Sequence, residues 1–197
     1  MCKKIGVSGA DFAFFPSPRI KVRILSMGKM DESMAEMHET WMRAALTAAG
    51  EAANAGEVPI GACIVSASGE LLASAFNLTV ENSDPTAHAE ILAIRDAAAS
   101  LGNYRLTGAT LYTTIEPCVM CAGAILNARI SRLVFGARDE RFGAVESHFQ
   151  LCDSAILNHR LEVVSDILSA QSREMIQQFF RRRRSEIRAI RKTQSLT

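Results

Sequence analysis

Four side chains in this 197-residue chain have the types and spacing to do chemistry together. His88 and Glu90 stand in His88-Ala89-Glu90, and 27 residues on from Glu90 begins Pro117-Cys118-Val119-Met120-Cys121. Cysteines three apart share one face of a first helical turn. Two thiolates and one imidazole are soft or borderline donors and suit Zn²⁺. Three protein ligands leave a fourth position open, and a metal with an open position lowers the pKa of a water it binds toward neutrality. Helix N-termini carry partial positive charge and help keep thiols ionised. Alone, Cys-x-x-Cys fits a structural zinc or a redox pair better. The His-x-Glu upstream and the proline before Cys118 turn the reading toward a catalytic metal held by His88, Cys118 and Cys121.

Glu90 needs a separate argument. Residues two apart on a helix point about 200° apart by the 3.6-residue period, so His88 and Glu90 cannot share a side face. They can serve one site at a helix end, where the first turn opens outward. A carboxylate there is placed to take a proton from water and pass it to a ring nitrogen and then to a departing amine. As a fourth metal ligand it would close the site, which is the weaker reading. The bland alternative is a plain acidic residue favoured at a helix N-terminus.

The elements that position these groups read as an α/β chain. Met34, Met37, Trp41, Ala44, Ala45, Ala48 and Ala52 recur at helical spacing, ended by Gly56 and Pro59. Residues 60–67 and 71–76 read as a hairpin around Ser68-Gly69. A polar loop, 77–84, leads to Asp84-Pro85-Thr86, which reads as a helix start with Asp84 as cap and Pro85 at the first helical position. That helix is expected to run to about Ser100. A strand at 110–115, a helix at 118–128, strands at 132–137 and 161–165 and a C-terminal helix from Ile167 complete the order. Such alternation implies a layered sheet, mostly parallel after the first hairpin. The segment 138–158 carries no clear period.

Hydrophobic residues make up 48% and charged residues 22%, which excludes whole-chain disorder. No apolar run reaches the roughly 18 residues of a membrane-spanning helix. Five cysteines without a secretory signal argue against a disulfide scaffold and for a reducing, cytoplasmic setting. The net charge is +1 but unevenly spread. Residues 1–30 hold six Lys and Arg against one acid, residues 179–197 seven against one, and the stretch between is strongly acidic. Concentrated basic segments attract polyanions such as nucleic acid. Residues 1–33 read as an N-terminal extension, with two explanations open: translation begins at one of Met27, Met30, Met34 or Met37, or the extension is genuine and flexible. Residues 34–197 read as a single domain ending in a basic helix from about 179.

The His-x-Glu and Pro-Cys-x-x-Cys motifs together resemble the zinc-dependent nucleobase deaminases of the cytidine/deoxycytidylate deaminase superfamily. The likeness extends to the tRNA adenosine deaminase branch. It is carried by Glu57-Val58-Pro59-Ile60-Gly61-Ala62, Asp84-Pro85-Thr86-Ala87-His88-Ala89-Glu90, Asn103-Tyr104-Arg105-Leu106, Leu111-Tyr112-Thr113, Glu116 to Ala124, Val134 to Asp139, Asn158-His159-Arg160 and Phe179-Phe180-Arg181. It covers about residues 38–192 and not the first thirty or so. The resemblance implies a cytidine-deaminase-like three-layer α/β/α fold with a five-stranded mixed sheet, and a homodimer. It implies hydrolytic deamination of the wobble adenosine of a tRNA anticodon to inosine. It also implies one Zn²⁺ per subunit on His88, Cys118 and Cys121, with Glu90 as proton shuttle. Asn77 matches a position that binds the purine edge, and Asp139 a position near the nucleotide's sugar. Residues 140–149 depart from the family pattern, notably at Arg141-Phe142 and Glu146.

An RNA substrate fits the remaining signals. A single-stranded loop makes extrusion of the target base inexpensive. Arg181–Arg184, Arg188, Arg191 and Lys192 could neutralise phosphates, although such a run is usually a solvated helix face. Phe149, Phe179 and Phe180 could stack on or support bases, although Phe179 and Phe180 fit the helix's apolar side equally well. Asn77 also fits a plain turn residue. His159 is a further RNA-contact candidate, although it and His148 have the ordinary character of loop histidines. Cys63 reads as core. Two other functions compete: deamination of a free base or nucleotide such as guanine, cytosine or dCMP, and a non-catalytic zinc-stabilised RNA-binding module. Glu90 argues against the module, because a structural site has no use for it.

Overall fold

The computed structural model describes residues 24–26 and 30–194. Its elements in chain order are β1 (Ile24–Ser26), α1 (Glu32–Asn54), β2 (Gly61–Val65), β3 (Leu71–Phe76), α2 (Ala89–Leu101), β4 (Thr110–Ile115), α3 (Val119–Asn127), β5 (Arg132–Ala137), β6 (Glu162–Ser165) and α4 (Ser169–Gln194). The sheet order is β1-β6-β5-β4-β2-β3. β2 runs antiparallel to β3 and β4, and β4, β5, β6 and β1 are parallel neighbours. The expected five-stranded mixed sheet is therefore present, and Ile24–Ser26 adds a short sixth strand at its edge. That strand falls inside the segment expected to be an extension. The Met27 part of the late-start reading and residues 1–23 lie outside the described residues.

Strict alternation divides the central strands between two cores. Ala62, Ile64, Leu111, Leu133, Phe135 and Val163 face α2 and α3, where Ala89, Ala93, Ala97, Ile125 and Leu126 meet them. Cys63, Val65, Tyr112, Val134 and Val164 face the other way, onto Met42 and Ala45 of α1 and Ile167 before α4. Burial on both faces is what a sheet covered by helices on each side requires. Each large side chain so buried contributes about 1.5–3 kcal/mol. Small residues set the layer spacing: a Cβ on Gly61 would fall on the Ala45 carbonyl and the Ala49 amide of α1.

Two local expectations are corrected, and the segment without a clear period resolves into turns. The helix expected from Pro85 begins at Ala89, because the Asp84 carboxylate accepts from the Thr86 amide and hydroxyl, both at 2.7 Å, and closes a turn instead. The inward face of α1 is His38, Met42, Ala45, Ala49 and Ala52, so Met37 stays 42% exposed. Residues 138–158 form turns with one 3₁₀ turn, Leu151–Asp153.

The topology has one consequence for chemistry. β4 and β5 run parallel, so the residues after both strands emerge at one edge of the sheet. Ligands of open α/β sheets bind outside the carboxyl ends of such strands.

Candidate metal centre and active site

Two helix N-termini meet at that edge. His88 is the N-cap residue of α2, with φ −77° and ψ 150°, and Cys118 is the N-cap residue of α3, with φ −72° and ψ 174°. Neither side chain caps its own helix. Extended N-cap backbone turns both side chains away from their helices, and they converge. His88 Nδ1 lies 3.8 Å from Cys118 Sγ and 3.5 Å from Cys121 Sγ, and the three donor atoms all lie within 4.8 Å of one another. Tetrahedral zinc with ordinary bond lengths needs nitrogen–sulfur edges of about 3.6 Å and sulfur–sulfur edges of about 3.8 Å. The donor set therefore fits zinc in chemistry and in spacing.

Hydrogen bonding among the three side chains leaves Cys118 as the ionised thiol of the group. The hydrogen bond from Cys121, opposed by burial and helped by His88, holds the Cys118 thiol down at about 4. Cys121 keeps its proton, first because it donates to Cys118 and then because it is buried. His88 is raised, chiefly by its hydrogen bond with Cys118.

Glu90, in the first turn of α2, is 3% exposed, and its Oε2 is buried with no hydrogen-bond partner. Burial raises its pKa, against the pull of its own backbone bond and His88. A buried polar atom left unsatisfied is uncommon and marks a place where a ligand or water completes the site. A carboxyl with a raised pKa is suited to taking and returning protons near neutral pH.

Asn77 is buried at the same place. Its Oδ1 accepts from the Ala89 amide at 2.9 Å, which leaves its NH₂ as the donor for anything bound there. Asp139 is half-buried in the loop after β5. Its Oδ1 accepts from the Arg141 and Phe142 amides at 2.9 and 3.2 Å, so half of the carboxylate is committed to the loop itself. Phe149 lies on the same loop and is 53% exposed. Arg181 is exposed on α4, beside Arg182, which donates to the Ala53 carbonyl at the end of α1. His159 is not brought to the metal centre. Its Nε2 meets the Ile130 carbonyl at 2.7 Å, before β5 begins, in a shallow cavity of about 300 Å³ with Arg105, Thr107 and Arg129. That is the opposite edge of the sheet. Phe179 is buried and Phe180 is 42% exposed.

Two glutamates that the motif reading left without a role hold the site's loops. Glu57, 1% exposed, accepts from the Val80 and Glu81 amides at 2.7 and 2.9 Å and from the Thr79 hydroxyl at 3.0 Å. It thus pins the loop that leads to His88. Glu116, also 1% exposed, binds the loop after β5. Its Oε1 accepts from the amides of Val145, Glu146 and Ser147, and its Oε2 from the Asp139 amide and the Ser147 hydroxyl. Burial alone would raise Glu116, but these bonds outweigh it and its pKa is lowered. The sequence signal is that each glutamate opens a block that carries the family likeness and stands beside apolar residues and a proline, and a buried acid is found only where it is paired.

Comparison with known proteins agrees with this geometry. Residues 35–137 match the model of the cytidine and deoxycytidylate deaminase zinc-binding region. A tRNA-specific adenosine deaminase of Haemophilus influenzae is 48% identical over 151 residues, 77% of this chain and 87% of that protein. One of Bacillus subtilis is 43% identical over 157 residues, 80% of this chain and 97% of that protein. A solved structure from a study of A-to-I editing by tRNA:A34 deaminases at the wobble position superposes with a TM-score of 0.67 at 46% identity, covering 69% of this chain and 98% of that one. With motifs, metal-ligand geometry, fold and sequence in agreement, the chain belongs to the cytidine and deoxycytidylate deaminase family and, within it, to the tRNA-specific adenosine deaminases.

Proposed function

We propose that this protein hydrolyses the wobble adenosine of a tRNA anticodon to inosine. Water adds at C6 of the purine and ammonia leaves. The observation that carries the reading is the three-donor cluster of His88, Cys118 and Cys121 with the buried Glu90 carboxyl beside it, one of whose oxygens has no hydrogen-bond partner.

His88, Cys118 and Cys121 would hold one Zn²⁺ per subunit, and the metal supplies Lewis-acid activation of a water molecule. Glu90 takes the water's proton, delivers it to the purine N1 and later passes a proton to the departing amine. Burial serves this role, because it keeps the carboxyl's proton affinity high enough to accept and release within one turnover. The Asn77 NH₂ donates to the purine edge. The Asp139 oxygen not used by the loop is free to accept from a sugar hydroxyl.

The target base leaves its stack to enter the site, which an anticodon loop permits at small cost. The exposed arginines from Arg181 along α4 supply phosphate contacts, and exposed Phe149 a stacking surface. His159, on the far edge, is assigned no contact with the reacting nucleotide. The active unit is a homodimer, working in the cytoplasm where tRNA is matured. The two relatives named above, both called tRNA-specific adenosine deaminases, favour this substrate over a free base.

The test is incubation of zinc-loaded protein with an anticodon stem-loop carrying A at the wobble position, alongside adenine, guanine, cytosine and dCMP. Inosine in the stem-loop is the expected product. Turnover of free bases or nucleotides with an untouched stem-loop would replace this reading with the small-molecule one.

A further inference from the structure

The hydrogen bonds around Glu116 reach beyond packing. The residue stands two positions before Cys118, at the end of β4. From there its carboxylate gathers the Val145, Glu146 and Ser147 amides at 3.0, 2.7 and 2.9 Å, the Asp139 amide at 3.1 Å and the Ser147 hydroxyl. Its partners lie 23 to 31 residues away and span the loop after β5 from Asp139 to Ser147. The same loop touches the metal-ligand motif directly: a single antiparallel bridge pairs Cys118 with Gly143, and the Ala144 amide donates to the Pro117 carbonyl at 2.9 Å. Gly143 makes this approach possible. A Cβ there would fall on the Glu116 carboxylate and within 2.6 Å of the Asp139 carbonyl oxygen. The outer side of the loop carries Arg141, with Phe142 67% and Phe149 53% exposed.

We infer that Glu116 is a positioning residue for the RNA substrate: with Gly143 it latches the 139–149 loop onto the Cys118 motif, so that the loop's Asp139, Arg141 and aromatic side chains stand in one fixed arrangement beside the metal centre. The inference rests on the proposed deamination of tRNA. A carboxylate is required because every partner is a donor. Glutamine in its place offers one oxygen and turns an NH₂ toward groups that are themselves N–H and O–H donors. Unlatched, the loop keeps its composition and loses its order, so binding RNA must then order it, and affinity falls. The chemical step, carried by Glu90 and the metal ligands, stays.

The experiment compares wild type, Glu116→Gln, Gly143→Ala and the double variant, all zinc-loaded. It measures zinc content, hydrogen exchange at residues 145–147, equilibrium binding of a tRNA transcript with wobble A, and KM and kcat for inosine formation. Wild type is the control for the proposed function: if it makes no inosine, that reading fails, while exchange and binding still test the latch. The expected result is one zinc per chain in every form and loss of exchange protection at 145–147 in each variant. RNA Kd and KM should rise about tenfold or more, with kcat within about threefold. The two changes break one latch, so the double variant should bind RNA no worse than the poorer single one. Unchanged RNA affinity despite lost protection would overturn the inference, as would additive losses. If Glu116→Gln loses zinc, Gly143→Ala decides, because it leaves the carboxylate in place: zinc lost there too would mean that the latch serves the metal site and the inference is wrong.

Discussion

The side-chain oxygen of Asn77 accepts the Ala89 amide at 2.9 Å and so caps a helix to which Asn77 does not belong. The N-cap residue of that helix is His88, whose ring is turned to the two cysteines and cannot do the capping itself. The oxygen is committed to the helix, which leaves the NH₂ for the proposed contact with the purine edge. Asn77→Ala should cost about 0.5–2 kcal/mol of stability, as N-cap losses do, together with activity. Asn77→Asp keeps the acceptor and favours the helix N-terminus. It should hold the thermal midpoint near wild type and still lose turnover, because the NH₂ donor is gone. Equal midpoints for the two variants would contradict this division of roles.

Glu90→Gln fills the same buried space without a proton to exchange. Inosine formation should drop by about 10²-fold or more, the scale of general acid–base catalysis. Zinc content should be unchanged, since Glu90 is not among the three donors. Paired assays of inosine and of metal separate the two functions; activity that survives the change would remove Glu90 from the mechanism.

Metal removal should expose a selective thiol. In chelator-stripped protein Cys118 is held down at about 4, whereas burial puts Cys63 and Cys152 up at about 12. Alkylation at pH 6 should therefore label Cys118 first, slow as the pH falls through about 4, and be blocked by prior addition of zinc. Peptide mapping of the labelled protein reads the outcome, and equal labelling of the three residues would refute it.

His38 gives the fold a pH dependence of its own. It is fully buried on α1, with Nδ1 2.9 Å from the Tyr112 hydroxyl and Nε2 unpartnered, and its pKa falls to about 4, chiefly by burial and then by the Arg132 charge. Near pH 5 the unfolded chain binds a proton here and the native state does not, so stability rises with pH across the window from about 4 to 6.5 and is lost on acidification. The full effect is roughly 3 kcal/mol. Thermal midpoints measured from pH 4 to 7 should fall more steeply for wild type than for His38→Gln. The comparison cancels any acid release of metal, which both forms share.

The basic face of α4 should act through charge alone. Replacing Arg181 and Arg184 with Ser should weaken tRNA binding and reduce the slope of log K against log salt by about 0.7–0.9 for each phosphate that is no longer neutralised. Cleavage of ammonia from bound substrate should keep its rate. An unchanged salt slope would take these residues out of the interface.

Much of this protein could be read from local signals. Apolar, β-rich runs at 60–67, 110–115 and 132–137 marked strands, and the structure builds a three-layer sheet from them in which these strands are buried on both faces. Where local signals misled, a side chain had found a different partner. Asp84-Pro85 looked like a helix start, and Asp84 instead closes a turn on Thr86. Met37 looked inward by spacing, and the neighbouring His38 took the interior, where Tyr112 offers it a hydrogen bond, while Trp41 packs against the core as its spacing implied.

What the sequence determined by itself was the chemistry. The affinity of sulfur and imidazole for zinc, and the placing of Cys118 and Cys121 in one helical turn, are properties of residue type and short spacing, which need no fold to be recognised. What only the tertiary structure decided was the company those residues keep. It sends His159 to the far edge of the sheet, although its motif stood beside the others in the family likeness. It also gives the silent glutamates Glu57 and Glu116 their work, through donors 22 to 31 residues distant in the chain. A buried carboxylate is satisfied by whichever amides the fold delivers to it, and no local pattern records which those will be.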